Sequence, residues 1–373
     1  MEHFAAMRNN DYQIVETGQR DIEILKEGHE KRWYVTDAAG CLRGYIGRRE
    51  YAESVRQDRI VTNQKFTYLT DAPGSKEKSE KIFNSNNKIS AIPVVSQDMR
   101  LLYEYVKDQE TFYDELQIEC GVNRKEKRKE RIVVSLTTHG KRLEKVYLAI
   151  RSIMYQTLQA DDIVLFLDDG NSANKIPHED ELVKAGLTII RDVRNLGPHT
   201  KYYQAMSDFD DSVIITVDDD ILYDDTVIED LYRQHLKFPD AIVCRWGTRM
   251  KKKGIRIEEY NLWEDKVTAD EPQIDICALG VGGCLYPCGS YRKKFLDAEG
   301  IINYCIGADD LWLKTIEMIN GIKTISLGYH PIRIIRGSQE DALSPVNCLE
   351  KRNDKYILDV QKYLNIDLCE YFR

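Results

Sequence analysis

The chain has 373 residues, of which 42% are hydrophobic and 31% charged, and its formal net charge is −9. This length is enough for two or three domains with ordinary cores, and the acidic balance argues against a general nucleic-acid-binding protein, which needs clustered cations. No stretch approaches the roughly 18 consecutive apolar residues that span a bilayer. Nine cysteines without a CxxC pair favour reduced thiols and a cytoplasmic location.

The first hundred residues contain an internal repeat. Residues 33–46 have a strand-turn-strand pattern, and residues 91–102 show the same pattern again. Residues 35–42 superpose on residues 94–101 with an offset of 59 residues. Residues 76–84 are predicted to form the helix that precedes the strands of the second copy.

A charged segment separates the two halves of the chain. Phe112, Leu116 and Ile118 recur at helical spacing, and a basic run follows at residues 124–129. We therefore predict a linker over residues 109–130 that begins as a helix. The basic run is expected to be solvated, with contact to anionic lipid headgroups as the alternative.

The second half alternates predicted strands with predicted helices. A β-branched run at residues 131–137 is typical of a buried parallel strand. Later strands are predicted at residues 162–167, 187–191 and 213–217, with helices between them and a further helix that carries Val227, Ile228, Leu231 and His235 on one face. This order predicts a mostly parallel sheet with helices on both sides, and ligands bind beyond the carboxyl ends of such strands.

Three consecutive carboxylates, Asp218, Asp219 and Asp220, follow the fourth of these strands. If the chain stays extended there, Asp218 and Asp220 point to one side and Asp219 to the other. Carboxylate oxygens are hard ligands for Mg²⁺ or Mn²⁺, and three adjacent carboxylates repel one another without a cation. Asp218 and Asp220 are therefore predicted metal ligands, and the alternative is a polar strand exit.

Two further positions at the same edge of the sheet suggest contacts with a nucleotide. Asp168 and Asp169 end the second strand, where a carboxylate can accept hydrogen bonds from a base or ribose, although Asp-Gly is also common turn chemistry. Lys201 lies in the first turn of the helix after a Gly-Pro turn and can contact a diphosphate at that helix N-terminus. A solvent-facing lysine is the alternative.

The late part of the chain contributes a glycine loop and a second acidic pair. Gly282 and Gly283 allow a backbone to approach a ligand closely, or else form a structural turn. Asp309 and Asp310 open a predicted helix, where one of them is expected to act as general base and the alternative is a helix cap. His330 follows a short strand at residues 323–327 and is either a third metal ligand or an ordinary histidine.

Residues 131–335 resemble a glycosyltransferase of the GT-A fold, close to the family 2 type, and also resemble exostosin-like transferases. The resemblance is carried by the first strand with its two threonines and by the segments at residues 168–169, 195–201, 218–220, 282–287 and 309–312. It implies a nucleotide-sugar donor, a Mn²⁺ or Mg²⁺ cofactor and a glycan or lipid-linked acceptor. The family 2 type implies inversion of the anomeric centre, and the exostosin-like type implies retention.

The resemblance also implies a role for each matching residue. Thr137 and Asp168 lie near the nucleotide, Asp218 and Asp220 match the metal motif, and Asp309 or Asp310 matches the late catalytic acid. With these we group Asp169, Lys201, Asp219, Gly282 and Gly283 as donor-binding candidates.

The N-terminal half resembles a CBS-domain pair, on the two copies of the repeat at residues 33–46 and 91–102. Such pairs bind adenine nucleotides and regulate a partner domain, and packing or homodimer formation is the alternative role. Where that family has a hydroxyl and an aspartate after the second strand, this chain has Gly47 and Glu50 in the first copy. The second copy has Val106 and Gln109.

The predicted fold is α/β: a GT-A, Rossmann-like catalytic domain with a mostly parallel sheet, preceded by a smaller α+β CBS-like domain. The expected boundaries are 1–108 for the CBS-like module, 109–130 for the linker, 131–340 for the catalytic domain and 341–373 for a helical tail. The predicted function is hexosyl transfer from a UDP-sugar in surface polysaccharide synthesis, in the cytoplasm or at the inner membrane face. Alternatives are a sugar-1-phosphate nucleotidyltransferase, a haloacid-dehalogenase-type phosphatase and a non-catalytic sensor or scaffold.

Overall fold

The computed structural model describes most of the chain in ten segments. They are residues 5–9, 12–16, 32–46, 66–85, 91–124, 127–290, 296–328, 330, 332–339 and 351–372. The chain divides into two compact units, Glu2–Glu115 and Leu116–Arg373. Among the described residues, no helix has the length and apolar character needed to cross a membrane.

The described residues of the N-terminal unit form short strands and two helices. Its described elements are β1 Ala5–Asn9, β2 Tyr12–Glu16, β3 Arg32–Thr36, β4 Leu42–Ile46, β5 Leu69–Thr70, α1 Ser75–Ser85, β6 Ala91–Val95, β7 Leu101–Asp108 and α2 Gln109–Glu115. One sheet has the order β1-β7-β6-β5 and the other has the order β2-β3-β4. The helix predicted over residues 76–84 is confirmed by α1.

Two hairpins of this unit repeat each other in detail. Strand β3 pairs antiparallel with β4, and β6 pairs antiparallel with β7, with a register shift after Val35 in the first pair and after Val94 in the second. In the turns, Gly40 and Met99 occupy the same left-handed position, with φ of 78° and 68°. In each case the two matching positions are 59 residues apart, so the predicted repeat of 59 residues is confirmed.

The two hairpins also share a small core. Tyr34, Leu42 and Val95 pack in one cluster, and the Tyr34 hydroxyl donates to the buried Glu104 carboxylate over 2.5 Å. Of the positions where the resemblance implies nucleotide contacts, Gly47 and Glu50 lie outside the described residues. Val106 and Gln109 are both buried.

The linker helix is shorter than predicted. Helix α2 ends at Glu115, so Leu116 and Ile118 follow it in irregular structure. Ile118 packs against a core of the second unit, where Val122 is buried. The apolar spacing that suggested a longer helix therefore reflects this packing of an irregular segment.

The C-terminal unit contains the predicted alternation of strands and helices. In chain order its elements are β8 Ile132–Thr137, α3 Val146–Met154, β9 Asp162–Asp168, α4 Glu179–Ala185, β10 Leu187–Val193, α5 Thr200–Asp208, β11 Val213–Thr216, β12 Ile221–Leu222, α6 Val227–His235, β13 Ile242–Cys244, β14 Gly247–Arg249, β15 Lys252–Lys253, β16 Arg256–Ile257, β17 Ile276–Ala278, β18 Cys284–Tyr286, α7 Ala298–Tyr304, α8 Asp309–Ile319, β19 Thr324–Ser326, β20 Arg333–Ile334 and α9 Arg352–Leu364.

A mostly parallel sheet forms the centre of this unit. Across its described strands, seven in number, the order is β10-β9-β8-β11-β18-β13-β19. Only β18 runs antiparallel to its neighbours, β11 and β13. The chain moves outward from β8 through β9 to β10 and then returns to pair β11 with the other side of β8. This reversal creates a crevice beyond the strand ends, where ligands bind in such sheets.

Helices cover both faces of the sheet. On one face, Val146 and Ile150 of α3 pack with Val227 and Leu231 of α6. On the other face, helices α5, α8 and α9 contribute to a second core. The tail helix predicted in the C-terminal segment is thus an integral part of this unit.

Candidate functional site

A cavity of about 890 Å³ opens at the carboxyl ends of β8 and β11. This volume is in the range of small-molecule sites. Among the sequence-predicted site residues, those that line it are Thr137, Asp168, Lys201, Asp218, Asp219, Asp220, Asp309 and Asp310. The strand order therefore brings together residues that are far apart in the chain.

The acidic triplet is not extended. Strand β11 ends at Thr216, and Asp219 and Asp220 lie in a turn. The guanidinium of Arg142 contacts both of them, with Nη1 2.9 Å from Asp219 Oδ1 and Nη2 3.0 Å from Asp220 Oδ2. Asp218 instead faces Lys201. The predicted alternation, with Asp219 opposite to its two neighbours, is therefore wrong because the strand stops before the triplet begins.

Asp219 ties the triplet to the segment after β8. Its carboxylate accepts a 2.6 Å hydrogen bond from Thr138 Oγ1 as well as the contact from Arg142. Burial raises the pKa of Asp219 above its usual value, against the attraction of Arg142. The contacts of Asp219 hold the cavity wall together.

Asp220 is an acidic group in an environment that disfavours its charge. Its Oδ2 accepts a 2.8 Å hydrogen bond from Gln339 Nε2. Burial, followed by the nearby Asp218 carboxylate, raises the pKa of Asp220 to about 6 although Arg142 opposes the shift. A cation bound close to this pair of carboxylates would stabilise their ionised forms.

Lys201 joins the triplet to the late acidic pair. Its Nζ lies 2.6 Å from Asp218 Oδ1 and 3.0 Å from Asp309 Oδ2. Burial by itself would lower the pKa of Lys201, but Asp218, Asp309 and Asp310 together raise it well above the usual value. The side chain is therefore a charged ammonium fixed inside the cavity.

Asp309 and Asp310 are adjacent carboxyl groups with opposite pKa shifts. Burial would raise the pKa of Asp309, but Lys201 outweighs it and lowers the value. Burial, with the charge of Asp309, raises the pKa of Asp310 well above the usual value. Such a division between neighbouring carboxyls is typical of acid-base sites, because a raised pKa suits a general base.

Gly280 allows the carboxyl groups of Asp218 and Asp310 to lie close to each other, because it has no side chain. The Gly280 N–H donates to Asp310 Oδ1 over 3.0 Å. A Cβ atom at Gly280 would lie 3.1 Å from Lys201 Nζ and 3.6 Å from Asp218 Oδ1. A side chain here would press against both charged groups, so this position favours glycine for its small size.

His199 is a buried, neutral support of the site. Its Nε2 lies 2.8 Å from the Cys305 carbonyl oxygen, and its Nδ1 lies 2.8 Å from the Tyr202 hydroxyl. The carbonyl can only accept, so Nε2 carries the proton and Nδ1 accepts from Tyr202. Burial lowers the pKa of His199 to about 4.

The predicted glycine pair lies behind the cavity wall. Leu279 and Val281 line the cavity, whereas Gly282 and Gly283 do not. A Cβ atom at Gly282 would lie 2.8 Å from the backbone nitrogen of Trp246. The loop therefore needs small residues because it packs closely against Trp246, the residue before β14. Its contact with the cavity is made by Leu279 and Val281.

Two other predicted residues also lie away from the lining. The ring of His330 is influenced by the charges of Arg245, Asp224 and Asp230, and its carbonyl oxygen accepts from Trp246 Nε1 over 2.7 Å. In the part of the chain that the structure describes, no group of three or more His, Cys, Asp or Glu side chains is arranged to hold a metal ion. Asp169 is exposed and accepts from the Gly170 N–H, as in an ordinary turn.

The nucleotide end of the cavity is formed at β8 and β9. Thr137 Oγ1 donates to the Phe166 carbonyl over 2.9 Å. Asp168 Oδ1 accepts two hydrogen bonds from Asn171, one from its backbone N–H and one from its side-chain amide. Asp168 is thus held in a fixed orientation at the edge of the crevice.

Sequence reasoning missed several lining residues. Arg142 lies a few residues after Thr137, the last residue of β8, and that position beside a strand end was the available signal. Arg352 and Tyr356 stand one helical turn apart in α9, and Tyr356 also packs against the second core. Other missed side chains include Trp246, Tyr260 and Gln339, which belong to segments without a recognisable motif.

Residues 134–298 match the model of the family described as Glycosyl transferase family 2. No curated protein matches the chain. Solved structures similar to its N-terminal part include Staphylococcus aureus OpuCA, at 13% identity and a TM-score of 0.24, covering 26% of this chain and 87% of that chain. The cytosolic domain of the Mg²⁺ channel MgtE in complex with ATP is 20% identical, with a TM-score of 0.23, covering 27% of this chain and 44% of that chain. The CBS domain pair of protein MJ0100 in complex with 5′-methylthioadenosine and S-adenosyl-L-methionine is 22% identical, with a TM-score of 0.21. This match covers 27% of this chain and 87% of that chain.

Proposed function

We propose, from the premise that residues 134–298 carry a glycosyl transferase family 2 domain, that this chain moves a sugar from a UDP-sugar to a hydroxyl of a glycan or lipid-linked acceptor. The family match supports glycosyltransferase activity, and the donor, acceptor and metal are part of the proposal. The observation that carries it is the Lys201 ammonium between Asp218 and Asp309, at the crevice where the strand order reverses.

The charge of the cavity supports a divalent cation beside the donor. Among the described lining residues there are six aspartates and only three Lys or Arg side chains. A diphosphate would be repelled by this excess unless a cation accompanied it. Asp218 and Asp220 offer the hard oxygen ligands that Mn²⁺ or Mg²⁺ prefers, so this donor set fits such an ion, which would compete with Lys201 and Arg142 for their oxygens. When bound, the ion would neutralise charge on the leaving diphosphate.

The protein's own groups would then orient and deprotonate the reactants. Thr137, Asp168 and Lys201 line the cavity, and we assign Thr137 and Asp168 to the base and ribose and Lys201 to the diphosphate. Asp310 accepts the proton of the acceptor hydroxyl, whose oxygen bonds to the anomeric carbon as the bond from that carbon to the diphosphate oxygen breaks. This single displacement inverts the anomeric centre, and the nucleoside diphosphate leaves.

The acceptor side of the cavity is assigned to α9 and to the segment that follows β16. Arg352 and Tyr356 of this helix line the cavity together with Tyr260. The backbone N–H of Tyr260 donates to Asp354 Oδ1 over 2.7 Å, which fixes the helix to this segment. Aromatic rings offer a flat apolar surface for the carbon face of a sugar, and their hydroxyls add polar contacts.

Thermal unfolding with Mn²⁺ and a panel of UDP-, GDP- and CMP-sugars, AMP and ATP tests the donor assignment. A Mn²⁺-dependent rise in melting temperature with a UDP-sugar supports the proposal, because a ligand that binds only the folded state stabilises it. AMP and ATP test separately whether the N-terminal unit binds an adenine nucleotide. A flat response to every nucleotide-sugar would contradict the transferase assignment.

The substitution Asp220→Ala tests the metal assignment. We expect it to abolish metal-dependent release of nucleoside diphosphate while the protein still unfolds cooperatively. Near-normal turnover of the folded variant in the presence of Mn²⁺ would show that Asp220 is not a metal ligand.

A further inference from the structure

A short hairpin near the cavity has an unusual surface. Strand β15 pairs antiparallel with β16, with Lys252 opposite Ile257 and Lys253 opposite Arg256. Between the strands, Gly254 adopts a φ of 63°, a left-handed turn conformation. Ile255 follows it at the tip, where its side chain is 81% exposed, the largest exposed fraction among the large hydrophobic residues of the described chain.

The hairpin is also strongly basic. Residues 251–257 contain four cations and no carboxylate, although the whole chain carries a net charge of −9. All four side chains belong to exposed residues, and none lies within ion-pair distance of a carboxylate among the described residues. Lys252 lies over the Phe372 ring, with Nζ 5.1 Å from the centroid. The basic hairpin consists of Lys251, Lys252, Lys253, Ile255 and Arg256.

The base of the hairpin is fixed while its tip projects. The Glu258 N–H donates to the Lys251 carbonyl over 2.8 Å. The Glu258 carbonyl in turn accepts from Nε1 of Trp263, which is buried. The same segment continues to Tyr260, which lines the cavity, and to Leu262, which is 55% exposed. The exposed apolar tip therefore stands on a rigid support close to the proposed acceptor side.

We propose that the basic hairpin docks this protein on an anionic phospholipid surface. Cations on such an element are attracted to acidic headgroups, and an exposed aliphatic side chain at the tip gains by entering the boundary with the acyl chains. A soluble polyanion would explain the four cations but would leave Ile255 in water. The proposal is based on the hairpin alone and goes beyond the proposed function, whose outcome it does not require.

Sedimentation of the full chain with vesicles tests this docking. The vesicles are phosphatidylcholine alone or phosphatidylcholine with phosphatidylglycerol, at low and high salt. We expect binding only with phosphatidylglycerol, and weaker binding at high salt because counterions screen the attraction. The combined variant K251Q/K252Q/K253Q/R256Q should lose at least a hundredfold in binding, since each of the four cations near the surface contributes about fivefold.

Two further variants separate docking from a general charge effect. The matched control K175Q/K184Q/K237Q/K323Q removes four exposed cations elsewhere and should bind like the wild type. Ile255→Ser keeps every charge and should weaken binding severalfold, because it removes the apolar tip. Equal losses in the control and hairpin variants, or no binding of the wild type to phosphatidylglycerol vesicles, would overturn the proposal. Binding to a soluble acidic polysaccharide without binding to vesicles would also overturn it.

Discussion

The ammonium nitrogen of Lys201 lies 3.0 Å from Oδ2 of Asp309, so a residue in the first turn of α5 is paired with the first residue of α8. The same nitrogen contacts Asp218. One side chain thereby connects the carboxylates proposed to hold a metal with those proposed to handle the acceptor proton. The donor and acceptor halves of the site are electrostatically coupled through it.

Replacement of Lys201 by methionine should damage both activity and stability. It leaves buried carboxylates without their cation, and breaking a buried pair on one side costs about 3–5 kcal/mol. We expect turnover to fall at least a hundredfold and the free energy of unfolding to fall measurably in urea. Lys201→Arg keeps the charge and should recover most of the stability. Equal stability of Lys201→Met and the wild type would contradict the assigned ion pairs.

The role of Asp310 predicts the shape of the pH profile. The group must be ionised to accept a proton, and its pKa is raised by burial and by Asp309. The value of kcat/KM should therefore fall as the pH decreases through this raised pKa. The fall should begin at a higher pH than it would if an exposed aspartate were the base. Asp310→Asn should remove both the activity and this acidic limb. An acidic limb at the ordinary aspartate value would show that Asp310 is not the base.

His199 should make the folded state sensitive to mild acid. Its ordinary pKa is 6.5, and burial lowers it to about 4 in the folded chain. Between these values the unfolded chain binds a proton that the folded chain does not. The free energy of unfolding should consequently decrease as the pH falls from about 6.5 to about 4, by roughly 2–3 kcal/mol.

Urea unfolding at several pH values measures this effect of His199. His199→Gln should be less stable at neutral pH because it loses one of the two ring hydrogen bonds. In the variant, the free energy of unfolding should fall less over this pH range, because the imidazole that binds a proton only in the unfolded chain is gone. An unchanged decrease would assign the acid sensitivity to other groups.

Tyr356 should affect the acceptor more than the donor. The hydroxyl of Tyr356 would lie 2.7 Å from a Cβ atom placed at Gly307, two residues before Asp309. We expect Tyr356→Ala to raise the acceptor KM severalfold and to leave the donor KM nearly unchanged. Leu358→Ala, on an exposed part of the same helix, serves as the control. A rise in the donor KM alone would move Tyr356 to the donor side.

The regular elements of the C-terminal unit could be predicted because their patterns follow from burial. The residues Val227, Ile228, Leu231 and His235 were placed on one face of a helix, and all four are buried. The predicted parallel sheet put both acidic clusters at the carboxyl ends of its strands, and in the structure Asp168 and the acidic triplet line the same cavity. The spacing of hydrophobic residues along the chain was enough to predict these helices and strands.

Other features of the site depend on three-dimensional contacts that have no local pattern. The orientation of Asp219 is set by Thr138 and Arg142, and neither contact can be read from the run of three aspartates. Gly282 and Gly283 resembled a binding loop, but a close approach to Trp246 also requires small residues. The pKa of Asp309 is lowered despite burial because of Lys201, which lies more than a hundred residues earlier in the chain, whereas burial and the charge of Asp309 raise the pKa of Asp310.

The late position of α9 also has a consequence for biosynthesis. A nascent chain extended only as far as β19 would already contain Thr137, Asp168 and the acidic triplet, but it would lack Arg352 and Tyr356. Such an intermediate would also lack Ile357 and Val360, which are buried in the second core. The last helix therefore completes the core and the cavity wall in the same step, and the folding of the cavity depends on residues made late in synthesis.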